Sequence, residues 1–392
     1  MKVALVHDWL TGLRGGEKCL LAFLKIYPQA DIFTLLHVPG STAHEIDRKV
    51  KQVSFLNRLP LVRKYYRFLL PLYPAAVRTL NLQGYDLVIS LSHAAAKNVR
   101  VPEGCVHICY CFTPMRYIWD QASAYFGRLL PFVWPIISRL RRWDLKGSAR
   151  VDHFIAISSF VAARIRRFYK RKACVIFPPM ESGWIKSRGE GETGEAFLCA
   201  GALVPYKKID HAIEAFNRNG QQLWIVGSGP EEARLRRAAR ENITFFGFLD
   251  QAQLADRLRR CRALIFPGTE DYGLVPVECM AAGRPVIGLF DGGLKETVNG
   301  LKPWINSSLA PDNFSGVFIR RRSERSAQVE SIIKSVEYFM RCEDNFSAQA
   351  CRDQAGKFSE ERFFAAWSDF ERRIGLPGQE AFVNGSASIG AL

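Results

Sequence analysis

What the chain lacks narrows its class first. Its 392 residues contain no apolar run long enough for a membrane span. The two most apolar stretches, Phe68–Val77 and Leu129–Ser138, are each about ten residues long, against the roughly 20 that a helix needs to cross the hydrocarbon. The opening Met1–Asp8 offers only Val3–Val6 before polar residues begin, too little for the apolar segment of a secretory signal, so a cytoplasmic protein is expected. The ten cysteines stand singly apart from Cys109-x-Cys111, which excludes paired zinc spacings and a disulfide framework and leaves reduced thiols. The 30 glycines and 19 prolines follow no period, so the chain is not collagenous, and no short repeat runs through it. With 48% hydrophobic and 23% charged residues it has the balance of a globular protein, and its length suits two or three domains.

Acid is scarce in one half only. Residues 1–181 hold 27 Lys and Arg against 11 Asp and Glu, whereas residues 182–392 hold 27 against 27, so the whole net charge of +16 lies in the first half. Such asymmetry points to a polyanionic partner for that half. Two segments mix cations with large apolar side chains. Phe55–Leu80 carries Arg58, Arg63, Lys64, Arg67 and Arg78, and Leu129–Arg142 carries Arg139, Arg141 and Arg142 just after Arg128. This pattern suits an anionic membrane surface, with a solvated helix face as the plain alternative. No nucleic-acid module is visible, and nucleic acid is not an expected partner.

The rhythm of the chain is strand, turn, helix. Lys2–His7 reads as a strand, Thr11–Gly16 as a Gly-rich turn and Glu17–Tyr27 as a helix. Asp31–Leu35, Leu87–Ser90, His107–Tyr110 and His153–Ala156 read as buried parallel strands. Ser182–Glu195, rich in Gly, Ser and Glu, reads as a linker, after which the alternation restarts with strands at Ala196–Ala200, Gln222–Val226, Ile243–Phe246, Ala263–Pro267 and Pro285–Leu289. The expected domains are 1–181, a linker at 182–195, 196–358, a final helix at 359–374 crossing back to the first domain, and a disordered tail at 375–392.

The densest chemistry lies in Glu270–Val286. This segment follows a strand of the second half, where loops gather at the carboxyl edge of a parallel sheet. Gly273 permits close backbone approach, and Gly273, Leu274 and Val275 present N–H groups at a helix start. Glu270 and Glu278 straddle that cradle, an arrangement suited to a ligand with hydroxyls at both ends and a diphosphate between.

Glu270 and Glu278 form a Glu-x7-Glu signature that resembles that of retaining GT-B glycosyltransferases of the family 4 group. Further likenesses follow along the chain. Gly201–Phe216 resembles the first strand-loop-helix of the family's C-terminal domain, Trp224–Pro230 its Gly-x-Gly-Pro turn, and Leu13–Glu17 its N-terminal Gly loop. Cys109–Asp120, reading Cys-Tyr-Cys-Phe-Thr-Pro-Met-Arg-Tyr-Ile-Trp-Asp, is similar to the mannosyltransferases of bacterial O-antigen and exopolysaccharide assembly.

The resemblance implies an α/β chain of the GT-B fold, two Rossmann-like domains facing a central cleft. It further implies a retaining mannosyltransferase using GDP-mannose and a lipid-diphosphate-linked saccharide acceptor, peripheral on the inner face of the plasma membrane. Glu278 would grip the ribose and Glu270 the sugar hydroxyls. Backbone at Gly15–Gly16 and Gly273–Val275 would hold the diphosphate and Lys207 would neutralise it, with no cofactor and no metal. His93 and Arg116 are the acceptor-site candidates. Gly15–Gly16 also reads as a simple tight turn, His93 as a structural histidine, and Gly227 and Gly229 as structural glycines.

Two positions depart from the family. Ala202 stands where an Arg usually joins Lys207 on the diphosphate, and Phe112 stands where the mannosyltransferases usually carry a His beside the donor sugar. These departures keep a second function open: a non-catalytic nucleotide-sugar-binding or scaffold subunit of a polysaccharide assembly complex.

Overall fold

The computed structural model describes residues 1–66, 69–181, 183, 194–305 and 313–376. Most of the expected linker (184–193) and most of the expected tail (377–392) lie outside them. The chain divides into two compact units, Met1–Pro179 joined by the helix residues from Phe363 onward, and Met180–Arg362.

The first unit is built on a parallel sheet of β1 (Val3–Leu10), β2 (Asp31–His37), β3 (Val50–Val53), β4 (Leu87–Ser92), β5 (Val106–Cys111), β6 (His153–Ala156) and β7 (Ala173–Val175). Its order is β3-β2-β1-β4-β5-β6-β7. β1 is buried at all eight positions and pairs Val6 with Phe33 on one side and Ser90 on the other. An uninterrupted apolar run of this kind belongs in the middle of a sheet covered on both faces. β3 and β7 are absent from the sequence reading because they are short edges carrying Lys, Gln or exposed positions, so burial leaves no apolar signature there.

The second unit repeats the plan with β8 (Phe197–Ala200), β9 (Leu223–Val226), β10 (Ile243–Gly247), β11 (Leu264–Phe266), β12 (Val286–Leu289), β13 (Gly300–Leu301) and β14 (Gly316–Ile319). Its order is β10-β9-β8-β11-β12-β14-β13, again parallel throughout. Each unit has its own apolar core.

The shared topology fixes where chemistry can sit. The strand order reverses between β1 and β4 in the first sheet and between β8 and β11 in the second, where a further crossover sets β13 outside β14 at the edge. At such a point the loops leaving the two strands diverge to opposite faces and open a crevice at the carboxyl edge. The crevice of the first unit is bordered by the turn before the helix Gly15–Ile26 and by His93–Ala95. That of the second is bordered by Gly201–Lys208 and Pro267–Gly273.

Candidate functional site

In the second unit, the two loops at the β8/β11 reversal bring Lys207 and Glu270 into an ion pair. Both side chains are mostly covered, at 16% and 14% exposure, so their charges are partly withdrawn from solvent screening. The Lys207 ammonium also lies 5.0 Å over the Phe266 ring. Backbone fixes the pair in place. Gly268 runs so close to this loop that a Cβ there would lie 2.8 Å from the Tyr206 and Lys207 carbonyls. The Gly293 N–H donates to the Glu270 carbonyl at 2.8 Å.

The helix Leu274–Ala281 begins three residues beyond Asp271. Its cap is Gly273 at φ 91°, a left-handed conformation that disfavours any side chain, and no side chain caps the first turn. The opening N–H groups of Leu274 and Val275 therefore face outward from the helix end without intrahelical partners. Glu278 is on this helix and is 5% exposed. The fold pairs Lys207 with Glu270 and sets Gly273, Leu274, Val275 and Glu278 on the loop end and helix that follow Glu270. Lys207 was assigned to a diphosphate and Glu270 to a sugar, and in this state they hold each other.

The Gly-x-Gly turn has a structural explanation. A Cβ on Gly227 would fall 1.9 Å from the Gly201 carbonyl, and one on Gly229 would fall 2.4 Å from the Leu203 carbonyl. These glycines let the β9 turn pack against the Lys207 loop.

The first unit has its own polar cluster at the β1/β4 reversal. Asp8 is fully buried and accepts backbone hydrogen bonds from His93, Ala94, Ala95 and Ala96 at 2.6 to 2.8 Å. Its carboxylate also lies 3.2 Å from His93 Nδ1, and the His93 ring meets Trp9 edge-on at 4.4 Å. His7 donates from Nδ1 to the Trp9 carbonyl at 3.0 Å, which leaves the lone pair of the neutral ring on Nε2. That atom has no partner among the described residues. Burial first, and then the neighbouring His93, push the His7 pKa down to about 4.

Gly16 sits directly over this ring. A Cβ there would lie 3.2 Å from His7 Nε2 and 3.5 Å from the Phe112 ring. Glu17 accepts from the Arg14 N–H at 3.0 Å, and burial raises its carboxyl to about 7. The fold thus gathers Gly16, His93 and Phe112 around His7, with Asp8 beneath His93, and Gly15 opens the same helix. In the sequence His7-Asp8 closes the first strand with Asp8 reading as a turn cap, and here it caps the turn His93–Ala96. Arg116 is half-buried in the turn after β5, where its carbonyl accepts from the Gln121 N–H at 3.1 Å. Among the described residues no group of three or more His, Cys, Asp or Glu is arranged to hold a metal ion.

Comparison with known proteins covers both units. The family model described as Glycosyltransferase Family 4 matches residues 14–181, and that described as Glycosyl transferases group 1 matches residues 181–343. An uncharacterized glycosyltransferase of Methanocaldococcus jannaschii is 29% identical over 152 residues, covering 38% of this chain and 42% of that one. A GDP-mannose-dependent monoacylated alpha-(1-6)-phosphatidylinositol monomannoside mannosyltransferase of Corynebacterium glutamicum is 34% identical over 137 residues, 31% of this chain and 36% of that one. O-antigen chain mannosyltransferase C of Escherichia coli is 29% identical over 135 residues, 33% of this chain and 36% of that one. The matches thus span about two-fifths or less of these relatives' lengths. Among solved structures, Anabaena HepE in complex with UDP superposes with a TM-score of 0.67 at 16% identity, covering 95% of this chain and 100% of that one. Sucrose-phosphate synthase of Thermosynechococcus elongatus does so with a TM-score of 0.67 at 17% identity, covering 95% and 99%.

Proposed function

Because the chain belongs to the GT-B glycosyltransferases, with a family 4 half followed by a group 1 half, we propose that it moves mannose from GDP-mannose, with retention of anomeric configuration, to a lipid-linked or saccharide acceptor in bacterial surface polysaccharide assembly. The observation that carries this reading is the Lys207–Glu270 ion pair beside the Gly273 helix start. It combines one cation, outward N–H groups and two carboxylates within one crevice. A departing nucleoside diphosphate gains negative charge, and a pre-placed cation with aimed amides stabilises that charge without reorganisation. The incoming diphosphate displaces Glu270 from Lys207, and the released carboxylate then accepts from sugar hydroxyls. Glu278 grips the ribose. The leaving phosphate takes the proton of the acceptor hydroxyl as that oxygen bonds to the anomeric carbon on the same face.

Mannose and GDP are favoured by the two mannosyltransferase relatives, one of them GDP-mannose-dependent by name. The UDP bound to HepE makes UDP-sugars the competing donors. The excess positive charge of residues 1–181 favours an acceptor carrying a lipid diphosphate, met at the inner face of the plasma membrane.

Calorimetry with GDP-mannose, GDP, UDP-glucose, UDP and ADP-glucose tests the reading. Binding of GDP-mannose is expected, and Lys207→Ala should weaken it by about 10- to 150-fold, the worth of one charge-assisted contact. Proton NMR of the product anomer tests retention. Absence of heat with every sugar nucleotide would sink the proposal. Ala202 and Phe112 favour a second reading, a nucleotide-sugar-binding subunit without turnover. Binding of GDP-mannose without nucleotide release, with or without membranes, would establish that alternative.

A further inference from the structure

The helix Leu130–Ser148 packs along one side on the core of the first unit, with Leu130 and Val133 partly buried at its entry, Ile137 buried near its middle and Leu140, Asp144, Gly147 and Ser148 buried in its second half. Asp144 locks that half by accepting from Lys97, from Asn98 Nδ2 at 3.1 Å, from Trp119 Nε1 at 2.8 Å and from the Tyr169 hydroxyl at 2.8 Å. The other side of the helix entry is exposed: Leu129 is 63% and Phe132 81% exposed, and Ile136 is exposed on the same side, whereas Trp134 points to the opposite side and lies under the Arg141 guanidinium at 4.7 Å. Large apolar side chains left in water on one side of a helix call for a partner.

The charge on the same face identifies the partner. Phe132, Ile136, Arg139 and Lys146 are spaced by four, three and seven residues, which places them along one side of the helix. Arg128 precedes the cluster and Arg142 follows Arg139; both are exposed. Between Gln121 and Ser148 the sole acid is Asp144, which is buried. The face therefore has an apolar tip, cations starting about 10 Å further along at the helical rise, and no exposed carboxylate. A second copy of this chain would set cation against cation.

We propose that this face, with Leu129 and Phe132 as the inserting tip and Arg128, Arg139, Arg142 and Lys146 as headgroup contacts, docks the first unit on an anionic lipid bilayer. The geometry matches an interfacial helix, whose apolar side enters the acyl boundary while its cations stay among the phosphates. Among the described residues no helix is long and apolar enough to cross a membrane, so this attachment is peripheral. It rests on the membrane-side acceptor of the proposed function and deepens it by naming the docking face, which contains none of the residues assigned to the donor.

Sedimentation of the full chain with sucrose-loaded vesicles tests the inference. Vesicles of phosphatidylcholine alone are compared with vesicles holding about 30 mol% phosphatidylglycerol, at roughly 0.1 M and 0.5 M salt. Binding is expected on the anionic vesicles, weakened by salt. Leu129→Ser with Phe132→Ser should lower partitioning at least about tenfold, and Arg139→Gln with Arg142→Gln about tenfold or more on anionic vesicles only. Phe132→Cys carrying an environment-sensitive dye should brighten on those vesicles. GDP binding by the same variants, measured in parallel, separates a failed docking face from a failed donor site. Vesicle binding indifferent to Leu129 and Phe132, self-association abolished by these variants, or binding of an RNA oligonucleotide in preference to vesicles would each overturn the proposal.

Discussion

Asp8 is a buried carboxylate whose structural work is measurable. Four backbone N–H groups converge on it, and each would lose its acceptor in Asp8→Ala. An orphaned buried donor costs about 1–3 kcal/mol, so chemical denaturation should report a loss of at least about 3 kcal/mol, while Asp8→Asn, which keeps one acceptor oxygen, should lose less. Phe112 is the residue-scale counterpart in function. Its ring lies edge-on to His7 at 6.3 Å, beside the unpartnered Nε2. A histidine at this position would bring an N–H donor toward that lone pair. Phe112→His combined with Ala202→Arg is therefore expected to raise nucleotide release from GDP-mannose; unchanged turnover in the double variant would remove the view that these two positions limit activity.

At the scale of elements, the helix Glu360–Arg373 is held to the first unit by an aromatic cluster around one hydrogen-bond chain. Trp367 Nε1 donates to the Tyr27 hydroxyl at 2.9 Å, and that hydroxyl donates to Glu371. The Phe23 ring meets Phe363 at 5.5 Å and Trp367 at 4.6 Å, both edge-on. Trp367→Ala should cost about 3–5 kcal/mol, the usual loss on emptying so large a buried site. Glu371→Gln keeps an acceptor for Tyr27 and removes a buried carboxyl whose pKa burial raises, so its denaturation midpoint should move little. This helix was legible in the sequence because Phe363, Trp367 and Phe370 repeat at helical spacing, and most interior strands were legible because they are apolar throughout, although β14, also interior and buried at all four positions, was missed. The edge strands β3, β7 and β13 were not, since a strand covered on one side needs no apolar run. The donor-side candidates were legible for a related reason: glycines and carboxylates cluster where the chain leaves a strand. The pairing of Lys207 with Glu270, and the closure of Asp8 on His93, come from strands distant in sequence that meet only at a reversal of strand order.

Over the whole molecule, buried ionisable groups set the response to acid, and they pull in opposite directions. His7 and His107 are buried, and burial lowers the pKa of each to about 4. Between pH 6.5 and 4 the unfolded rings bind protons that the folded ones refuse, so each removes stability as pH falls, with a limiting slope of about 1.4 kcal/mol per pH unit. Glu17 acts in reverse. Its carboxyl, raised to about 7 by burial, holds a proton in the folded chain that the unfolded chain releases, so between pH 7 and 4.5 it adds stability as pH falls. His211, whose pKa burial also lowers, sides with the two rings, and Glu371, whose carboxyl burial raises, sides with Glu17; three rings against two carboxyls give a net expectation of a falling melting temperature from pH 6.5 to 4.5. Glu17→Gln should steepen that fall by deleting an opposing group, and His107→Gln should flatten it. The His107 replacement keeps a polar group near Ser90, whose hydroxyl lies 2.9 Å from His107 Nε2. Thermal melts of the three proteins across this range provide the check: parallel curves would mean that neither group governs acid stability, and a steeper curve for His107→Gln would reverse the sign assigned to the buried ring.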